Sequence, residues 1–330
     1  MRRSISNVLV LTFLALALLP AAQAGTWSDH NLEIKSSDRD FRFYVPSALR
    51  QGEKRPLLVA LHGCLQTPED FAGLARLEKL ADDQRIFLLL PKQGIFDNLN
   101  QCWNWFSASE QRRDEGEPGL IVGMVRWSKS KHAVDETRIY VAGISAGGGM
   151  TSILLATYPD VFAAGMMGSG TMYKAGEDLY SGYYATKYGS RADPVAIATE
   201  TYESLKATIQ LPRAIPLLVI HGSDDQSCAA LNSAQTAQQF IALNDLADDG
   251  LANASVSSKA LSIHETKIPK GYSYRVSAFG PNTSAVVVEH IVVKGMGHGW
   301  SGGDDTFRFN HPKGPDETAL MWKFLSRYRK

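Results

Sequence analysis

Three side chains in this sequence have the types and the order that nucleophilic acyl transfer requires. Ser145 sits in Gly143-Ile144-Ser145-Ala146-Gly147, a G-x-S-x-G pattern. A serine hydroxyl is a poor nucleophile until a base takes its proton, and that base has to be oriented by a third group. Downstream, Leu217-Leu218-Val219-Ile220-His221-Gly222-Ser223-Asp224-Asp225 carries carboxylates out of an apolar run. Further on, Val292-Val293-Lys294-Gly295-Met296-Gly297-His298-Gly299-Trp300 releases a histidine into a glycine-rich stretch. Serine, then acid, then histidine is one of the chain orders in which such triads occur. The G-x-S-x-G pattern alone recurs by chance, but three positions in this order are far more specific. The residues themselves leave Asp224 and Asp225 as alternatives for the acid.

The same chemistry needs donors for the oxyanion that develops at the attacked carbonyl. The amide of Ala146, next after the serine, supplies one. The second is expected from Leu61-His62-Gly63-Cys64-Leu65-Gln66, where Gly63 lets the backbone turn so that the Cys64 amide faces the site. Cys64 has no base pattern of its own and is not read as a second nucleophile. His62 and His221, each at a strand end before glycine, read as hydrogen-bonding groups, and His290 reads as a satisfied residue inside a strand. The eight histidines show no H-E-x-x-H or similar ligand spacing, so no metal and no cofactor is expected.

These residues must be delivered to one edge by the elements before them. Arg138–Ala142 is a β-branched, apolar run that turns at the glycine pattern into a helix over 146–158, closed by Pro159. Other strands are predicted at 41–45, 57–61, 86–90, 163–167, 217–220 and 286–293, and helices at 71–81, 119–131, 233–244 and 318–329. Several of the strands have no polar interruption, as expected when both faces are buried. Strands alternating with helices of this length imply βαβ units and a mostly parallel sheet. Neither an internal repeat nor a linker is visible, so residues 25–330 read as one α/β domain. Two segments break the alternation. The tyrosine-rich stretch 171–212 is either a lid over the site or a helical insertion on the sheet edge, and the small, polar stretch 245–271 reads as a surface excursion.

Residues 1–24 read as an export signal. Arg2 and Arg3 precede an apolar run over 8–19, and Ala22-Gln23-Ala24 is a small-x-small cleavage pattern. The run is short for a membrane span, so a secreted protein, extracellular or periplasmic, with no membrane association after cleavage is expected. Removing Arg2 and Arg3 from 34 basic against 34 acidic residues leaves a formal charge of −2. That balance does not point to nucleic acid as a partner. Cys64, Cys102 and Cys228 allow one disulfide in an oxidising compartment, and spacing does not choose among the three pairs.

The segments "LLVALHGCLQTPEDFAGLARLEKLAD", "QCWNWF", "GEPGLIVGMV", "RIYVAGISAGGGMTSILLATYPDVFAAG" and "GMGHGWSGG" resemble the poly(3-hydroxybutyrate) depolymerase family of serine esterases, which includes feruloyl and acetylxylan esterase relatives. The resemblance runs from about Pro56 to the C-terminus and implies an α/β-hydrolase fold, with helices on both faces of the sheet. It implies Ser145 as nucleophile, His298 as base and then acid, and the fifth position of H-G-x-x-D, Asp225, as the orienting acid. It also implies a Cys64–Cys102 disulfide and leaves Cys228 as a buried free thiol. Polymer-degrading members usually add a linker and a polymer-binding domain, for which this chain leaves no room, so crystalline polymer is the less expected substrate. Trp103, Trp105 and Trp300 are candidates for lining the site, and aromatic walls suit polyesters, aryl esters and sugars alike. The expected substrate is a hydroxyalkanoate polymer or oligomer, with feruloyl or acetyl esters of plant polysaccharide second. A secreted binding protein without turnover is the alternative of another class, and three intact, unlinked positions argue against it.

Overall fold

The computed structural model describes residues 25–330 apart from 35–36, 48, 50–51 and 210–212. The expected export signal over 1–24 and the last three residues of the tyrosine-rich segment lie outside the described residues. Ten strands form one sheet: β1 (Thr26–Ile34), β2 (Ser37–Val45), β3 (Arg55–Leu61), β4 (Phe87–Pro91), β5 (Val134–Ile144), β6 (Ala164–Gly168), β7 (Leu217–Gly222), β8 (Ser262–Lys267), β9 (Ser273–Phe279) and β10 (Val288–Val293). Their spatial order is β1-β2-β4-β3-β5-β6-β7-β10-β9-β8. The central run from β4 to β10 is parallel. Both margins are antiparallel, with β1 and β2 at one side and β9 and β8 at the other.

The uninterrupted strands are central because both of their faces are covered. In β3, Leu57, Val59 and Leu61 join the core on one face, and Leu58 and Ala60 join the core on the other, the two-residue alternation of a pleated strand. The first face is covered by α3 (Gly116–Lys131), α4 (Ala146–Thr157), α6 (Pro194–Lys206) and α7 (Leu231–Asp249). The second is covered by α1 (Pro68–Leu74), α2 (Leu77–Gln84) and α8 (Glu317–Leu325). Each fully buried Leu or Val adds about 1.5–3 kcal/mol of transfer free energy, so a polar residue at one of these positions would be strongly disfavoured.

The structure departs from the sequence reading in three places. The helix expected over 71–81 is two helices. Arg76 interrupts it in the left-handed region, at φ 50°, and its guanidinium donates to Gly302 O and to Asp316 Oδ2, both at 2.7 Å. The break ties the helix pair to the loop after His298. Second, the polar excursion over 245–271 is irregular and mostly exposed over 250–261 as expected, but its ends join the fold: 245–249 complete α7, and 262–267 form β8, which pairs with β9 at the sheet margin. Third, β1 pairs along the opposite margin. The tyrosine-rich segment forms α5 (Leu179–Tyr188) and α6. Its α5 is fastened to the N-terminal turn of α7 by Asn232 Nδ2 donating to Ala185 O at 2.8 Å and by Ala229 N donating to Thr186 O at 2.7 Å.

Candidate active site

Strand β5 ends at Ile144, and Ser145 makes the whole turn into α4. Its backbone sits at φ 57° and ψ −120°, a region that costs a non-glycine residue on the order of 1–3 kcal/mol and persists only where its surroundings enforce it. Here its N–H donates to Gly168 O at 2.8 Å, and its carbonyl accepts from Gly149 N at 3.0 Å. The flanking glycines are needed for close approach: a Cβ on Gly147 would stand 2.2 Å from Leu61 O. The turn therefore packs directly on the end of β3, where the loop over Gly63 and Cys64 begins.

Strands β7 and β10 deliver the other two groups to the same edge. His298 Nε2 lies 3.0 Å from Ser145 Oγ, and its Nδ1 lies 2.7 Å from Asp225 Oδ2. A carboxylate only accepts, so the Nδ1 proton points at Asp225 and Nε2 is left to accept from the serine hydroxyl. Asp225 is buried and saturated with donors. Its Oδ1 accepts from Ser227 N at 2.9 Å and Cys228 N at 2.8 Å. His221 Nε2 also lies 3.1 Å from Oδ2, its N–H shared with Cys228 O at 2.8 Å. Burial acts to raise this carboxyl's pKa, but the hydrogen bonds from His221, His298 and Cys228 outweigh it and hold the group ionised, well below the usual carboxylate range. Asp224, the other candidate acid, is exposed and accepts from Ser223 Oγ at 2.6 Å.

The loop bearing His298 is anchored by the segment on its C-terminal side. A two-stranded ribbon pairs β11 (Trp300–Ser301) with β12 (Asn310–His311). His311 Nε2–H donates to His298 O at 3.2 Å. Trp300 is fully buried, meets Phe71 edge-on at 5.2 Å between ring centroids and donates from Nε1 to Thr318 Oγ1 at 3.1 Å. Ser301 N donates to Glu317 Oε2 at 2.7 Å.

On the other side of Ser145, Cys64 and Cys102 form a disulfide. It pins the turn at Gly63, where a Cβ would stand 3.3 Å from Ser145 Cβ. Trp103 is 1% exposed, and its Nε1 donates to His62 O at 3.1 Å. His62 Nδ1–H donates to Gly63 O at 2.8 Å while Nε2 accepts from Gln93 N at 3.0 Å. Burial pushes the His62 pKa down to about 4, so it is a neutral brace. His290 is also a partnered residue, with Nε2 2.9 Å from Ser233 Oγ.

Trp103 and Trp300 therefore do not line the site, contrary to the sequence expectation; their rings fill the core beneath the two loops that carry Cys64 and His298. Trp105 does reach the cavity beside Ser145, which holds about 280 Å³ and is also lined by Cys64, Leu65, Ala146, His298 and Phe309. Cys228 is a free, buried thiol on the cavity wall. Burial, and then the charge of Asp225, push its pKa well above that of an ordinary thiol, so it is protonated. Thr186 of α5 reaches the same wall, as do Ser169 and Thr171 just after β6. Sequence reasoning passed over these hydroxyls; the available signal was their place directly after an apolar strand, at the edge where Ser145 emerges.

The loop carrying Cys102, which the disulfide joins to Cys64, also rests on a buried acid. Glu117 Oε1 accepts from Gln93 Nε2 at 2.6 Å and Asn104 Nδ2 at 2.8 Å, and its Oε2 accepts from Asn104 N at 2.8 Å. Burial, followed by the charge of Glu110, pushes its pKa up to about 7 against the pull of Asn104, Arg39 and Gln93. The folded chain then keeps this proton to higher pH than the unfolded chain, whose glutamate titrates near 4.5. The resulting stabilisation is complete below that value and is lost as the pH rises through about 7. The urea midpoint of the wild type relative to Glu117→Gln is expected to fall as the pH rises from 5 to 7.5; a difference between the two proteins that stays constant across that range would contradict this.

A serine at a strained strand-to-helix turn, on the carboxyl edge of a mostly parallel sheet covered on both faces, defines the α/β-hydrolase fold. More narrowly, the chain belongs to the esterase PHB depolymerase family, whose sequence model matches residues 40–260. It is 30% identical over 259 residues to poly(3-hydroxyalkanoate) depolymerase C of Paucimonas lemoignei, an alignment covering 78% of this chain and 57% of that protein. It is also 30% identical over 167 residues to feruloyl esterase B of Thermothelomyces thermophilus, covering 50% of this chain and 56% of that one. The chain thus spans a little over half the length of these curated relatives. Among solved structures, an acetyl xylan esterase from Aspergillus awamori superposes with a TM-score of 0.68 at 20% identity, covering 82% of this chain and 94% of that one. Among the described residues, no group of His, Cys, Asp and Glu is arranged to hold a metal ion, and no helix is long and apolar enough to cross a membrane.

Proposed function

We propose that this protein is an exported serine esterase whose catalytic unit is a single domain over residues 25–330. The observation that carries the reading is the relay from Ser145 Oγ through His298 to Asp225, with links of 3.0 and 2.7 Å, at the mouth of a cavity. Ser145 Oγ attacks the ester carbonyl as His298 Nε2 takes its proton, and Asp225 stabilises the imidazolium and its orientation. The Ala146 and Cys64 amides receive the oxyanion. His298 then protonates the leaving alcohol, which leaves an acyl group on Ser145. A water, deprotonated by His298, attacks that acyl group, and collapse of the second tetrahedral intermediate releases the acid and restores the serine. Export is inferred from the leader over 1–24 and agrees with a disulfide.

Poly(3-hydroxybutyrate) or its oligomers are the favoured substrates, supported by the family and by the depolymerase relative that aligns with most of this chain. Feruloyl or acetyl esters of plant polysaccharide are the second reading, favoured by the feruloyl esterase relative. Acid release from emulsified poly(3-hydroxybutyrate), from its short oligomers and from methyl ferulate, each run beside Ser145→Ala, separates them. Serine-dependent release from polymer or oligomers is expected. Release confined to methyl ferulate would move the substrate to the second reading, and release that survives in Ser145→Ala would overturn the mechanism.

A further inference from the structure

The turn that opens α8 holds an acid for which the relay has no direct use. Glu317 is fully buried, and glutamate is almost never found so unless it is paired. Its Oε2 accepts one bond, from Ser301 N at 2.7 Å. Its Oε1 has no hydrogen-bond partner among the described residues. Burial pushes the pKa of this carboxyl well above the usual carboxylate range; the Ser301 N–H opposes the shift and the charge of Asp316 adds to it. Glu317 is therefore a neutral acid. A buried carboxyl with one oxygen unpaired costs stability, so its presence asks for a reason other than stability.

Its place supplies one. In the ribbon after His298, Trp300 N and Gly302 N donate across to Phe309 O at 2.7 Å and to His311 O at 3.0 Å. Ser301 N, between them, has no such partner in the ribbon, and the Glu317 carboxyl accepts from it as a further strand would. The same carboxyl abuts β6. A Cβ on Gly168, the last residue of that strand, would stand 2.9 Å from Glu317 Oε1, and Gly168 O is the acceptor that holds Ser145 N at 2.8 Å. One side chain thus touches both the strand end that fixes the nucleophile and the strand three residues beyond His298. The turn that carries it is itself tied down: Arg76 donates to Asp316 Oδ2 and Thr318 Oγ1 donates to Ala75 O, both at 2.7 Å.

We propose that Glu317 is a positioning residue: its carboxyl sets the spacing between the loop that carries His298 and the strand end that holds Ser145. This rests on the serine esterase reading. His298 Nε2 and Ser145 Oγ are 3.0 Å apart, and misplacing reacting groups by about 1 Å can cost about a hundredfold in rate. In the neutral acid Oε2 accepts from Ser301 N and Oε1 carries the proton. Glutamine reproduces that arrangement, with an amide nitrogen where the hydroxyl stands. Leucine fills much of the volume but leaves Ser301 N–H buried without an acceptor, and the ribbon has to shift to satisfy it. Aspartate keeps the acid on a chain one methylene shorter, which draws it back from Ser301 N.

The test counts active sites by fluorophosphonate labelling and measures kcat per labelled site and KM on p-nitrophenyl butyrate. It compares wild type with Glu317→Gln, Glu317→Leu and Glu317→Asp, and thermal melts establish folding. Glu317→Leu and Glu317→Asp are expected to lose about tenfold or more in kcat per site, with KM within about threefold, while Glu317→Gln stays within about threefold of wild type. A merely structural residue behaves otherwise: fewer sites are labelled, and each turns over as in the wild type. That result would overturn the proposal. Equal impairment of Glu317→Gln and Glu317→Leu would also overturn it, since the acceptor for Ser301 N would then not be what places the loop. Should Glu317→Leu fail to fold, Glu317→Asp against Glu317→Gln carries the same comparison. If the wild type is neither labelled nor active on any ester, the esterase reading fails and this role falls with it.

Discussion

Ser145→Ala is expected to lower kcat on any accepted ester by about 10⁵–10⁶-fold, and His298→Ala by a similar factor. The double variant should be no worse than either single one, because each substitution alone already disables the same proton transfer. The structure makes this expectation specific. Among the described residues, His298 Nε2 is the base within hydrogen-bond reach of Ser145 Oγ, at 3.0 Å. Cys228, the other potential nucleophile on the cavity wall, is held in its thiol form by burial and by the charge of Asp225. Steady-state kinetics on a soluble aryl ester, with protein purified free of host esterases, decides the matter. Residual activity within tenfold of wild type, or additive losses in the double variant, would contradict the relay.

Asp225→Asn should cost about 10³–10⁴-fold in kcat, less than loss of the serine. The reason lies in how the carboxylate is satisfied. Ser227 N and Cys228 N both point at Oδ1, so the amide oxygen of an asparagine would have to take that side. Its NH₂ would then face His298 Nδ1, from which Oδ2 now accepts. Opposed to a donor, His298 would keep its proton on Nε2, the nitrogen that has to receive the serine's proton. Asp224→Asn serves as the comparison: Asp224 is exposed and bonded to its neighbour Ser223, so its replacement should leave kcat within about threefold. If the two variants were equally impaired, or Asp224→Asn the worse, the assignment of the acid would be wrong.

The parts of the site legible in the sequence were those that strand-end chemistry makes visible. Ser145, the Asp224–Asp225 pair and His298 each come after an apolar run and stand beside glycine or a second polar residue, so their arrival at one sheet edge could be reasoned out from the residues. The choice of Asp225 over Asp224 came from the family resemblance. The central strands were equally plain, because residues such as Leu57–Leu61 must be buried on both faces. The marginal strands were not. β8 reads Ser-Ile-His-Glu-Thr-Lys and is almost wholly exposed, so its pairing with β9 owes more to main-chain hydrogen bonds than to an apolar pattern. The break at Arg76 carries no glycine or proline; it is enforced by contacts to Gly302 and Asp316, more than two hundred residues away. The tryptophans were misread for a related reason. An aromatic next to a functional loop can face the substrate or the core, and only packing shows that Trp103 and Trp300 brace the loops from below while Trp105 turns into the cavity.

The most direct measurement is covalent labelling with a fluorophosphonate, then mass spectrometry of the intact protein and of its peptides. Such a reagent needs a serine activated by a correctly oriented histidine, and it makes no demand on the identity of the natural ester. The account predicts one adduct per chain, located on Ser145, formed rapidly by the wild type and absent from Ser145→Ala and His298→Ala. No adduct on the folded wild type, or an adduct on any other residue, would contradict it.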